Sequence, residues 1–164
     1  MMIATLERQT TSFEPPPFSV TEPALARLYD HWRAILHGGP VPLRRDFDPL
    51  DLPYILGRIM LVELRQSPRH WFVRVHGTEI ARRIGVELTG RALDGLPPEF
   101  REPAVARFDI VARTGLPHRT ATQMISDHRR LRYEALILPL SRDGGAIDML
   151  LCGINFFGGP KKAL

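Results

Sequence analysis

Gly77-Thr78-Glu79-Ile80-Ala81-Arg82-Arg83-Ile84-Gly85-Val86-Glu87-Leu88-Thr89-Gly90-Arg91 follows directly on a β-forming run, Trp71-Phe72-Val73-Arg74-Val75. The stretch reads as a short helix with a glycine stop at Gly85, then a second short element closed by Gly90. A sheet hands over here to small helices that wall off either a cavity or a filled core.

Upstream, residues 56–65 read as a first strand and residues 70–76 as a second, joined by a turn at Gln66-Ser67-Pro68-Arg69. Asp48 is expected to cap a short helical turn that has Pro49 in its first position. Further back, residues 21–38 form an amphipathic helix. Thr21 is the expected cap, and Pro23 sits in the first turn, where its missing N–H costs nothing. Leu25, Leu28, Tyr29, Trp32, Ile35 and Leu36 share one face. That stripe must be buried against the chain's own sheet or against a second subunit.

Downstream, residues 98–115 read as a helix that Pro103 splits. Three strands follow, at 120–126, 132–140 and within 146–157, with a hairpin signal in Ser141-Arg142-Asp143-Gly144-Gly145. Both alternating sets are largely apolar in Ala135-Leu136-Ile137-Leu138 and in residues 147–156, so both faces of that part of the sheet are covered. The middle helices cover one, and the N-terminal helix or a partner covers the other. The order of elements predicts an α+β domain, one antiparallel sheet with helices over one face. Residues 1–20 read as a flexible tail, 21–158 as the single domain and 159–164 as a flexible end.

The 164 residues are 44% hydrophobic and 24% charged, as in an ordinary soluble domain, with a formal net charge of +4. Arginine supplies 20 of the 22 cations. One cysteine, Cys152, excludes an intramolecular disulfide. No signal-peptide pattern and no apolar run of spanning length occurs, so a cytoplasmic protein with no membrane contact is expected.

The sequence resembles a PAS domain of the short bacterial single-domain type. The residues in common are Asp48-Pro49 through Leu56, Val73-Arg74-Val75-His76-Gly77-Thr78, Gly85-Val86-Glu87-Leu88-Thr89-Gly90-Arg91, Leu138-Pro139-Leu140-Ser141 and the final strand. They span about residues 22–157 in PAS order. The resemblance implies a five-stranded antiparallel sheet in the order 2-1-5-4-3 and a helical side enclosing a pocket. It also implies sensing or protein contact, rather than enzymatic activity.

PAS haems usually hang from a histidine on the middle helices, and residues 77–116 contain none. Cys152 lies in the last strand, not where a photoactive flavin needs its cysteine. Haem and covalent flavin photochemistry are therefore disfavoured, and the cofactor is left unknown. No HxxxH, HExxH or Cys/His cluster suggests a metal. No Gly-x-Ser-x-Gly or phosphate-cradling glycine loop is present, and no catalytic residue is assigned. Arg44-Arg45, Arg82-Arg83 and Arg129-Arg130 with Arg132 could form a basic patch. A nucleic-acid-binding regulator is thus the alternative function, with solvated faces the plainer reading. A small enzyme using the pocket ranks below it.

The ligand-pocket candidates are Val73 and Val75 on the second strand, opposite in direction to Arg74 and His76. Ile80, Ile84, Leu88 and Phe108 come from the helices, and Tyr133, Met149 and Leu151 from later strands. The interface candidates are Leu25, Leu28, Trp32, Ile35 and Leu36. The expected function is a sensory or protein-interaction module, signalling through a small ligand, through a homodimer, or through an unidentified protein partner.

Overall fold

A computed structural model describes residues 18–126 and 128–158. The terminal segments expected over 1–20 and 159–164 lie outside the described residues, apart from 18–20. The chain opens with helix α1 (Pro23–Ala34), capped by Glu22 rather than Thr21. The Glu22 carboxylate reaches over the first turn and accepts from Leu25 N at 2.8 Å, with Pro23 beginning the helix. The helix closes at Ala34, short of residue 38, because His37 and Gly38 both turn into positive φ. Three 3-10 turns follow, at Arg44–Asp46, Pro49–Asp51 and Leu56–Arg58. In the second, Asp48 Oδ1 accepts from Leu50 N at 2.9 Å, as its capping position predicts.

The sheet strands are β1 (Ile59–Arg65), β2 (His70–His76), β3 (Arg91–Ala92), β4 (His118–Ser126), β5 (Arg129–Leu140) and β6 (Met149–Phe157). They run antiparallel in the order β3-β2-β1-β6-β5-β4. Setting β3 aside, this is the expected 2-1-5-4-3 order. The sixth strand arises because Gly90, at φ +76°, turns the chain back along β2 and donates to Val73 O at 2.8 Å. Ala92 then pairs with Phe72.

Between β2 and β3 lies α2 (Thr78–Ile84), ended by Gly85 at φ +79°. Helix α3 (Pro98–Thr114) runs unbroken through Pro103, so the expected split does not occur. Proline removes one backbone donor there. The helix is nevertheless held along its length by Phe100, Phe108 and Val111, all buried in one core with the sheet.

The sheet has two covered faces. On one, α2 and α3 pack over Val62, Trp71, Val73, Ile137 and Leu150. On the other, α1 packs over Ile59, Leu61, Leu136, Leu138 and Leu151. Strands β5 and β6 feed alternate residues to the two sides, which explains why both of their alternating sets are apolar. Helix α1 seats closely over Gly153. A Cβ there would lie 2.5 Å from Leu28 Cδ2 and 2.9 Å from Leu25 Cδ2, so any larger residue would force these two leucine tips to shift.

Candidate functional site

The α2/α3 face is incompletely filled. A cavity of about 70 Å³ lies among β1, β2, β5, β6, α2 and α3. Met60, Ile80, Phe108, Ile137 and Ile154 are among the apolar residues that line it, together with His76, Arg107 and Tyr133. A water needs roughly 10–15 Å³, while sites for drug-sized ligands run to about 300–1,000 Å³. The space exceeds that of a single water and lies below the range of such ligand sites.

His76 reaches this cavity because of a β-bulge. Leu61 pairs with Val75 and Val62 with Val73, leaving Arg74 without a partner in the register. The extra residue breaks the period-two alternation. Val73 therefore faces the α2/α3 core, Val75 packs on the α1 side, and His76 returns to the cavity side opposite Met60. The expectation that Val73 and Val75 share a face, with His76 turned away, is corrected by that one residue.

The ring of His76 is fully buried. Its Nδ1 accepts from Leu88 N at 3.0 Å, so the neutral ring carries its proton on Nε2. That Nε2 is buried with no hydrogen-bond partner among the described residues. Burial lowers the imidazole pKa, and the Glu87 carboxylate at 3.7 Å opposes this in part. The segment over the ring is locked by Thr89, whose hydroxyl donates to Glu87 Oε1 at 2.6 Å and accepts from His76 N at 3.2 Å. The Thr89 hydroxyl and amide together hold the Glu87 pKa below its usual value. Cys152 also lines the cavity from β6. Complete burial pushes its thiol pKa far up, so it remains a neutral, small hydrophobe.

Of the pocket candidates, Ile80, Ile84, Phe108 and Tyr133 line the cavity. Val73 and Leu88 belong to the same core behind it. Val75, Met149 and Leu151 lie across the sheet against α1, which corrects their assignment to the pocket. For the last two, strand periodicity paired them properly but could not say which face the cavity occupies. Among the lining residues absent from the pocket candidates are Met60, Phe100, Arg107, Ile137, Cys152 and His76, the last considered only as a titratable group for a small enzyme. Nothing in the hydrophobic pattern marked the bulge that redirects His76.

The interface candidates divide. Leu25, Leu28 and Trp32 are buried within the chain itself, and Trp32 Nε1 donates to Pro139 O at 2.9 Å. Ile35 and Leu36 are half-buried at the end of α1. The arginine pairs also divide. Arg82-Arg83 and Arg129-Arg130 line one groove. Arg44 instead donates to Phe47 O at 2.7 Å, and lies with Glu63, Arg74 and Arg142 around a separate pocket. Among the described residues, no three His, Cys, Asp or Glu side chains are grouped to hold a metal, and no helix is long and apolar enough to cross a membrane.

An antiparallel sheet with a helical side over a small apolar cavity is the architecture of the PAS sensory domains. The chain belongs to the PAS domain family, whose model (PAS_5) matches residues 20–154. Similar solved structures include the dark state of the blue-light photoreceptor Aureochrome1 LOV, at 11% identity and TM-score 0.49, covering 68% of this chain and 84% of that one. Another is the LOV domain of a blue-light-activated histidine kinase from Erythrobacter litoralis, at 14% identity and TM-score 0.46, covering 62% and 96%. A third is the N-terminal domain of a diguanylate cyclase with a PAS/PAC sensor from Marinobacter aquaeolei, at 12% identity and TM-score 0.41, covering 60% and 94%. No curated protein matches the chain.

Proposed function

We propose that this PAS domain senses a small, mostly apolar molecule carrying one hydrogen-bond acceptor, held in the cavity between the sheet and α2/α3. The observation behind this reading is that His76 lines an apolar cavity and carries a buried Nε2–H without a partner among the described residues. An unsatisfied buried donor costs about 1–3 kcal/mol. A ligand acceptor would recover that loss, so the site favours a ketone, ether or ester over a plain hydrocarbon. The depressed pKa keeps the ring neutral near pH 7, so a carboxylate gains no ion pair with it.

The signal would leave through β6. Cys152 and Ile154 on that strand line the cavity, and Gly153 between them seats α1. Occupancy would thus bias how α1 sits, and α1 would present the outcome to a second copy or another protein. Because Leu25, Leu28 and Trp32 are already spent on the sheet, a partner would meet the outer side of α1 or the half-buried Ile35 and Leu36.

The test is a chemical-shift titration of the purified full chain with cyclopentanone and with cyclopentane, which share a shape and differ in the acceptor. The ketone is expected to bind about fivefold more tightly, the worth of roughly one net hydrogen bond. The preference should vanish in His76→Phe. Equal affinities in the native chain, or an unchanged preference in the variant, would reject the anchor. Native mass spectrometry of the same sample reads any retained ligand and the oligomeric state.

A further inference from the structure

The groove beside the cavity has a different character. Arg82, Arg83 and Gly85 at the end of α2 form one side of it, and Ser126, Arg129, Arg130 and Leu131 at the β4–β5 hairpin form another. The two arginine pairs are distant in sequence and meet only in the fold. Four arginines lining one depression make it favourable for an anion. Two carboxylates touch this neighbourhood among the described residues. Glu79 lies 3.8 Å from Arg83, and Glu99 accepts from Ser126 Oγ at 3.0 Å. Asp127 also lies in the sequence of the hairpin turn. Arg82, Arg129 and Arg130 make no side-chain hydrogen bond or ion pair with any described residue.

Arg83 is the most constrained of the four. Its Nη1 donates to Gly158 O at 2.7 Å, its guanidinium lies 5.1 Å from the ring of Phe156, and its Nε is buried without a partner among the described residues. The pairs are arginine throughout, and a planar fork of donors matches phosphate oxygens bidentately. The groove is not purely ionic. Ile84, Phe100 and Leu131 give it an apolar side, and Phe157, whose ring lies 5.6 Å from the Arg132 guanidinium, borders it. Its volume of about 560 Å³ falls within the roughly 300–1,000 Å³ of organic ligand sites.

From this we infer a second binding site, separate from the His76 cavity, for a small molecule of the nucleoside diphosphate class. The arginines of α2 and of the hairpin take the two phosphates, and the planar base lies along the apolar side, against Ile84, Phe100 and Leu131. A polymer is the weaker fit. A nucleic-acid strand needs a continuous basic track, whereas Arg44, Arg74 and Arg142 gather around Glu63 at a separate pocket. Ile84 and Phe100 line both the groove and the cavity, so the two sites share a wall.

The experiment is isothermal titration of the full chain with ADP at low salt, with pyrophosphate and adenosine as separate arms. ADP should bind and pyrophosphate should compete with it, while adenosine alone should bind far more weakly. The double variant Arg129→Ala/Arg130→Ala should weaken ADP roughly ten- to hundredfold, as expected for losing charge-assisted hydrogen bonds. Arg82→Glu should do likewise from the opposite wall. Arg45→Ala, remote from the groove, and Ala104→Leu, which fills the His76 cavity, should leave ADP affinity unchanged. Retention of ADP binding by Ala104→Leu therefore separates this site from the cavity reading. No saturable ADP binding, or ADP binding indifferent to both groove variants, overturns the inference. Tighter binding of a short single-stranded oligonucleotide than of ADP, lost in the same variants, overturns it in favour of nucleic acid.

Discussion

The two faces of the sheet draw on the same central strands and end differently. On the α1 side, Leu25, Leu28 and Trp32 meet Leu61, Leu136, Leu138 and Leu151, nearly all with no solvent exposure. The indole hydrogen bond to Pro139 O satisfies Trp32, while His31 Nε2 on the same helix is buried without a partner among the described residues. The α2/α3 side packs aromatic and aliphatic residues of similar kind, yet keeps a cavity and leaves His76 Nε2 without a partner. Protein interiors are close-packed, so a void lined by a potential donor is a departure that stability alone does not explain. The comparison separates a face that is filled by α1 from a face that is incompletely filled.

The sharpest way to break that contrast is to open the packed side. Leu28→Ala should cost about 2–5 kcal/mol, since it removes a fully buried side chain above Gly153 with little chance of collapse. Urea denaturation measures it. A loss below about 1 kcal/mol would mean that α1 is only loosely docked.

Filling the other side should act in the opposite direction. Ala104 is half-buried on α3 and lines the cavity. Ala104→Leu is expected to be neutral or to stabilise by about 0.5–2 kcal/mol, as cavity-filling changes commonly do. It should also reduce cyclopentanone binding. Clear destabilisation in the same urea experiment would show that the space is not available to a side chain.

The smallest effect is on pH dependence. The folded-state pKa of His76 is lowered, so below the unfolded value of 6.5 the unfolded chain binds more protons than the folded one. Stability is then fully present above pH 6.5 and falls as pH drops through that value towards the folded pKa. Glu87 beside the ring resists the shift, and Arg107 and Tyr133 line the same cavity. His118, whose pKa is also lowered by burial and by Arg107, adds a similar slope. His76→Phe should therefore flatten the decline in thermal midpoint between pH 7 and pH 5 without abolishing it. An identical slope in the variant would place the titration elsewhere.

Much of this arrangement was legible in the residues. Apolar residues in both alternating sets of 135–138 and 147–156 announced a sheet covered twice, and the stripe on α1 named one of its covers. Asp48-Pro49 and the Ser141–Gly145 turn were read from local chemistry that needs no tertiary information. The cavity was less accessible. Ile80, Ile84, Phe108 and Tyr133 were placed near it by periodicity, but periodicity is symmetric between two apolar faces, so Met149 and Leu151 went to the wrong one. The bulge at Arg74 is a property of the β1–β2 register and leaves no mark in hydropathy, and it alone decides where His76 points. Arg82-Arg83 and Arg129-Arg130 were visible as pairs, but that they share a groove depends on how the hairpin folds over the end of α2.

Gly153 has a consequence beyond letting a helix come close. The side chains before and after it touch the cavity, while the atoms nearest its own missing Cβ are the tips of Leu25 and Leu28. Strand β6 is therefore a partition one peptide thick, with a void on one side and a seated helix on the other. A partition that thin has no interior in which to absorb a push. Whatever strains Cys152 or Ile154 outward must be taken up by the leucines of α1.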